Sequence, residues 1–297
     1  MNFENINIEY HVRNKLPIAL VISSYQVNRN ASRLLRVALD SMLFFKNKES
    51  CIWVIDVGSP KTDFLVTPDE YPTVNFVITS YTPRSWEGDS FKKSFVKKFF
   101  GIKPPRSGSH ANGWTLNLGI HAFQENNYMP LYFMTLHMDI MFTRDNALDV
   151  LLSMFDDNTA AAGFRKQLNY DKTRDILHSL GCLWSMKNYI KLEGSFMNEF
   201  PAYDVGERLV ADAVDKGMHI KNLSNTFSQP ELNHTIKEKE LQNWKVDKAL
   251  DFHGNVVFVH LGRGVLKSEG GEIKKVSIDD WQELWNDIRR KHLQGKI

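Results

Sequence analysis

Continuous apolar runs of strand length alternate along the chain with stretches whose apolar residues recur every three or four positions. Residues 17–23, 51–56 and 74–79 are the first three such runs. Runs without polar alternation are the signature of strands buried on both faces. Between the first two, residues 31–45 place Leu34, Leu35, Ala38, Leu39 and Met42 on one face, behind Asn30 as a fitting N-cap. An amphipathic helix is predicted there. Gly58-Ser59-Pro60 then closes the second strand as a turn. A β-α-β opening of this kind predicts a parallel sheet with helices packed on its faces.

The pattern continues. Residues 111–124 read as a helix carrying Trp114, Leu116, Leu118, Ile120 and Ala122, and residues 131–138 as the next buried strand. Helices are predicted at 146–155, 205–216 (stopped by Gly217) and 281–292, with short strands at 160–164, 181–186 and 256–260. No repeat and no Pro/Gly/Ser-rich linker divides the chain. The expectation is one α/β unit over 1–222, with a C-terminal extension over 223–297 packing on it.

The most informative run is 131–139, Leu-Tyr-Phe-Met-Thr-Leu-His-Met-Asp, where strand-like apolarity stops at His137 and Asp139. Ligands of open α/β sheets bind at the carboxyl ends of the strands. A carboxylate following so many apolar residues must be solvated, paired or metal-bound. It is placed to hold a divalent cation against a phosphate. Asp56 ends the second strand in the same way, although a turn-capping carboxylate would look alike. His260 ends the 256–260 strand before Leu261-Gly262-Arg263-Gly264. Those glycines would let the backbone approach a pyrophosphate, and Arg263 would neutralise it.

Composition excludes more than it reveals. The 297 residues are 42% hydrophobic and 24% charged, an ordinary globular composition. A formal net charge of +2 does not mark a nucleic-acid binder. Cys51 and Cys182 lie in apolar segments, as buried thiols do in a reducing compartment. The N-terminal residues show no signal-peptide pattern, so a cytoplasmic location is expected. Within 91–100, Phe91, Phe95 and Phe99 recur every four residues with lysine pairs between them. That pattern fits either a helix docked on the sheet or an interfacial helix touching an anionic membrane.

Four features line up in order: Ser23-Ser24-Tyr25 and Asp56 at strand ends, Asn112 and Asn117 on a helix, His137-Met138-Asp139, and Asp204 with Glu207 at a later helix start. This order resembles the GT-A glycosyltransferases, in particular the large inverting family of bacterial polysaccharide and lipopolysaccharide transferases. Ser24-Tyr25-Gln26 resembles that family's first strand end, and Asn117-Leu118-Gly119-Ile120 the tail of the helix before its metal motif. The resemblance covers about residues 17–220. It departs from the family at the metal motif, normally Asp-x-Asp, where histidine stands first.

The resemblance implies a GT-A, Rossmann-like mixed sheet, mainly parallel and flanked by helices. It implies a nucleotide-diphosphate sugar donor, a glycan or lipid-linked saccharide acceptor, and no nucleic-acid partner. Ser23, Ser24, Tyr25, Asp56 and Asn117 would contact the donor. Asp139 and His260 would hold Mn2+ or Mg2+, with His137 donating to the ribose or ligating the ion. Asp204, or failing it Glu207, would be the general base. The same two residues also read as a capping box, with Asp204 at N-cap and Glu207 at N3.

Three other classes are weighed against this reading. A sugar-phosphate nucleotidyltransferase would carry a Gly-rich loop after the first strand, and Ser24-Tyr25-Gln26-Val27-Asn28-Arg29 has no glycine. A dinucleotide-dependent oxidoreductase would show Gly-x-Gly-x-x-Gly there. A binding protein that keeps the fold without the chemistry would explain the histidine at position 137.

Overall fold

The computed structural model describes residues 3–45, 47–81, 107–167, 175–199, 202–262 and 276–295. Arg263 and the 91–100 segment lie outside these residues.

One eleven-stranded mixed sheet organises the chain. Its strands are β1 (Glu9–His11), β2 (Ile18–Ser24), β3 (Ser50–Val57), β4 (Asn75–Thr79), β5 (Tyr132–His137), β6 (Ile140–Phe142), β7 (Thr159–Gln167), β8 (Asp175–Ser185), β9 (His219–Asn225), β10 (Asp247–Leu250) and β11 (Val256–His260). Their spatial order is β1-β4-β3-β2-β5-β8-β7-β9-β10-β11-β6. The strands β4, β3, β2 and β5 run parallel to one another, and β7 pairs β9 in parallel. The remaining neighbours are antiparallel.

The helices are α1 (Arg29–Phe44), α2 (Ser107–Glu125), α3 (Ala147–Leu152), α4 (Met186–Lys191), α5 (Glu207–Asp215), α6 (Lys239–Gln242) and α7 (Ile278–Leu293). Alternation along β2 builds two cores. Ile18, Leu20 and Ile22 pack with Leu34, Leu35 and Ala38 of α1 and with Trp281 and Trp285 of α7. Ala19 and Val21 belong to the second core, with Trp114, Leu116 and Leu118 of α2 and with Leu209 and Val210 of α5. α7 starts with a full capping box between Ser277 and Asp280. α1 is capped by Asn28, whose side chain accepts from Ala31 N–H, rather than by Asn30.

Gly119 marks a close approach. A Cβ there would sit 2.9 Å from Val21 Cγ1 and 3.2 Å from Ile55 Cγ1, so α2 lies against β2 and β3 at the position that lacks a side chain.

The sheet curls on itself. β5 lies in its middle and β6 at its end, yet only Met138 and Asp139 join them in sequence. The strands β8, β7, β9, β10 and β11 must therefore wrap round to bring β6 back to the carboxyl end of β5. β9 carries the chain across residue 222, so the later strands extend this same sheet. Among the described residues no helix is long and apolar enough to cross a membrane.

Candidate functional site

The parallel strands deliver their carboxyl ends side by side. Ser24 pairs in register with Asp56, and Ser23 with His137. Asp56, 4% exposed, accepts from Ser24 Oγ at 2.9 Å and from Gln26 Nε2 at 2.8 Å. Gln26 is itself anchored: its Oε1 accepts from Val66 N–H at 2.8 Å and its backbone N–H donates to Ser59 Oγ at 2.8 Å. Burial pushes the Asp56 carboxyl up, against hydrogen bonds from Gln26, Ser59 and Ser24 that pull it down. This network holds the 23–26 turn against the 56–59 turn and leaves the Tyr25 ring half-exposed at its edge.

Asn117 has a different place. Its Oδ1 accepts from Phe196 N–H at 3.0 Å and its Nδ2 donates to Ser195 Oγ at 3.1 Å. Both ends of the amide tie α2 to the 195–196 loop.

The β5–β6 link sets the second cluster. Asp139, 3% exposed, stands between two imidazoles: His137 Nδ1 lies 3.9 Å from its Oδ1 and His260 Nε2 lies 3.6 Å from its Oδ2. Leu261 N–H donates to the Asp139 carbonyl at 3.0 Å, which fixes the end of β11 against this link. The other His260 nitrogen, Nδ1, lies 3.5 Å from Asp247 Oδ2. His137 is pushed down to about 4, chiefly by burial and in the same direction by His260, with Asp139 opposing. It is therefore neutral at pH 7, with a nitrogen lone pair to offer.

Asp139 and His260 offer an oxygen-and-nitrogen donor pair of the kind that Mn2+ takes. Among the described residues no three or more His, Cys, Asp or Glu side chains stand together as a metal cage. Phosphate-site cations of the Mg2+ type need no such cage, since they take one or two protein ligands and complete their shell with phosphate and water. The donor chemistry fits on that count.

His178 and Lys166 were not singled out from the sequence, and both belong to this neighbourhood. The His178 ring lies 5.9 Å from that of His260. Burial pushes its pKa well down, and the charges of His260, Lys166 and His137 act in the same direction. Lys166 Nζ lies 2.8 Å from Glu207 Oε1 and 3.8 Å from Asp204 Oδ2. β7 carries both Phe164 and Lys166, with a break in its register to β8 between Gly163 and Arg165, and carrying the strand two residues past Phe164 was the available signal.

The helix start at Asp204 and Glu207 differs from a capping box. α5 begins at Glu207, and its N-cap is Gly206 with φ 69°, a conformation that suits glycine. Half of the box survives, because Glu207 Oε2 accepts from Asp204 N–H at 2.9 Å. Asp204 Oδ1 instead accepts from Val205 N–H at 2.8 Å. Glu207 is only 1% exposed, with one oxygen on Lys166 and the other on Asp204 N–H, whereas the Asp204 side chain is 37% exposed. Of the two carboxylates, only Asp204 is open to an incoming hydroxyl.

Neither a protein-family model nor a curated protein sequence matches the chain. Among solved structures, it is similar to a mannosyltransferase of Pyrobaculum calidifontis in complex with GDP-mannose and Mn2+, at 13% identity and TM-score 0.46, covering 70% of this chain and 55% of that one. TarS of S. aureus matches at 10% identity and TM-score 0.40, covering 67% of this chain and 55% of that one. A Drosophila galactosyltransferase solved with manganese, UDP-galactose and xylobiose matches at 10% identity and TM-score 0.39, covering 82% of this chain and 94% of that one. The chain thus spans little more than half the length of the first two proteins.

Proposed function

We propose that the chain transfers a sugar from a nucleoside-diphosphate sugar to a hydroxyl acceptor, a glycan or a lipid-linked saccharide, with inversion at the anomeric carbon. The observation that supports this reading is the neighbourhood that runs from Asp139 to His260 at 3.6 Å and on to the His178 ring, 5.9 Å from that of His260, with Lys166, whose charge acts on His178, lying 3.8 Å from Asp204. It joins a cation-binding carboxylate to an exposed basic carboxylate at the carboxyl ends of the strands. In this reading the 1–222 unit carries the donor site and the 223–297 extension contributes His260.

The Ser23–Tyr25 turn and Asp56 hold the nucleoside, with the half-exposed Tyr25 ring available to stack on its base. Asp204 takes the proton of the acceptor hydroxyl as that oxygen attacks the anomeric carbon. The bond from the anomeric carbon to the diphosphate oxygen breaks, and the diphosphate leaves with the electron pair. A divalent ion held by Asp139 and His260 would offset the charge on that leaving group. Glu207 holds Lys166 and the Asp204 backbone, and so orients the base without acting as one.

The test is turnover of a panel of nucleotide sugars with saccharide acceptors by wild type and Asp204→Asn. Removal of a general base lowers kcat by about 10²–10⁴-fold, and donor binding should stay within about twofold. Unchanged turnover in Asp204→Asn would overturn the role of this residue. Tight nucleotide binding with no turnover of any sugar would favour the second reading, a binding protein, to which histidine at position 137 also points.

A further inference from the structure

Phe227 has no part in the roles described so far, and its mounting is unusual. It follows β9 on a short loop fastened on both sides. Thr226 N–H donates to the Lys248 carbonyl at 3.0 Å, and Lys248 N–H donates to Thr226 Oγ1 at 2.9 Å. Ser228 N–H donates to Asn225 Oδ1 at 2.8 Å, and Ser228 Oγ donates to the Arg165 carbonyl at 2.8 Å. The loop is held, yet 51% of Phe227 is open to solvent.

The inner side of the ring meets the candidate site. Its centroid lies 6.2 Å from that of Phe164 and 6.4 Å from that of His178. Phe164 lies in turn 6.4 Å from the His260 ring. One ring therefore separates the exposed phenyl from the imidazole beside Asp139. A single exposed apolar side chain is ordinary on a protein surface. A firmly held one, bordering the part-buried imidazoles of His178 and His260, sets an aromatic face beside polar groups, the elements from which ligand sites are built.

We propose that Phe227 is the stacking platform of a saccharide subsite, and that its ligand is the pyranose ring of the acceptor. A pyranose has an apolar C–H face that lies flat on a phenyl ring and a rim of hydroxyls for the polar groups beside it. Tyr25, at the end of β2, serves the nucleobase, which leaves the wall lined by β7 and β8 for the acceptor. The proposal rests on the transferase reading for the word acceptor, and the platform itself does not depend on turnover.

The experiment uses the full chain with 13C-labelled phenylalanine. Methyl glucosides, galactosides and mannosides, with cellobiose, maltose and lactose, are titrated to tens of millimolar, with and without UDP and Mn2+. At least one saccharide should shift the Phe227 ring signal, assigned by its loss in Phe227→Ala. That variant should weaken the same saccharide by about tenfold, and Phe227→Trp should retain or tighten it. Unchanged affinity in Phe227→Ala, or a Phe227 signal that no probe moves in either state, overturns the proposal. Nucleotide thermal shifts on the same samples separate the two readings. Nucleotide binding without any saccharide response sinks the platform alone. A saccharide response through Phe227 without nucleotide binding sinks the transferase reading and leaves the platform standing.

Discussion

Replacing Lys166 with methionine would leave Glu207, which is 1% exposed, as a buried carboxylate without its counter-ion at 2.8 Å. Breaking one side of a buried ion pair costs about 3–5 kcal/mol, since the charge left behind stays buried without its counter-ion. The Lys166 side chain is 16% exposed, so the pair is not fully dry, and a loss of about 3 kcal/mol is expected. For a chain of this size that lowers the melting temperature by about 8 °C. Glu207→Gln leaves Lys166 with Asp204 at 3.8 Å and some access to water, and should cost about 1 kcal/mol. The double variant removes both charges and should recover about half of the Lys166→Met loss. Urea unfolding of the four proteins at pH 7 gives the coupling energy directly. Singles below about 1 kcal/mol that simply add would refute the claim that this pair holds the start of α5.

Lys248, 2% exposed, gives its ammonium protons to Asn233 Oδ1, the Trp244 carbonyl and the Val246 carbonyl, and burial pushes it down from 10.5 to about 8. The neutral form is thus favoured on folding, so the stability tied to this group is fully present above pH 10.5 and lost as pH falls through about 8. The stability difference between wild type and Lys248→Met should rise by up to about 1.4 kcal/mol per pH unit across that window; a flat difference would contradict it. Comparison with the variant matters, because the buried hydroxyls of Tyr71, Tyr128 and Tyr189 are pushed up and titrate above the same range. Gly119→Ala should destabilise by about 1–3 kcal/mol through its clash with Val21 and Ile55, although alanine in a helix is ordinarily worth about 1 kcal/mol more than glycine. Thermal unfolding decides the sign.

The strands that were legible in the sequence are those buried on both faces. β2, β3, β4 and β5 are apolar runs, and each boundary falls within one or two residues of expectation. β9, with His219, Lys221, Asn222 and Asn225, gives no such run, and it joins the sheet only because β7 and β10 supply its partners. The same distinction governs the site. Asp56 and His260 were visible because each is the first polar group after an apolar stretch, and Asp139 because it follows His137, which ends its own. His178 and Lys166 were hidden, since the strands that carry them extend beyond the runs that announced them: β7 continues past Phe164, and β8 begins before Gly181, at Asp175. Asn117 fitted a sequence pattern, but its amide is engaged by Ser195 and Phe196, partners distant in sequence. The closure that brings β6 beside β11 is likewise a property of the whole curled sheet, which no local pattern encodes.

The central claim is a donor site in which Asp139 and a divalent cation act together on a nucleoside diphosphate. Thermal shifts with UDP-, GDP-, dTDP- and CMP-sugars, each with and without Mn2+, on wild type and Asp139→Ala, test it most directly. The account predicts stabilisation by one nucleotide family that needs both Mn2+ and Asp139. No shift with any nucleotide, or a shift indifferent to both the metal and the substitution, would contradict it.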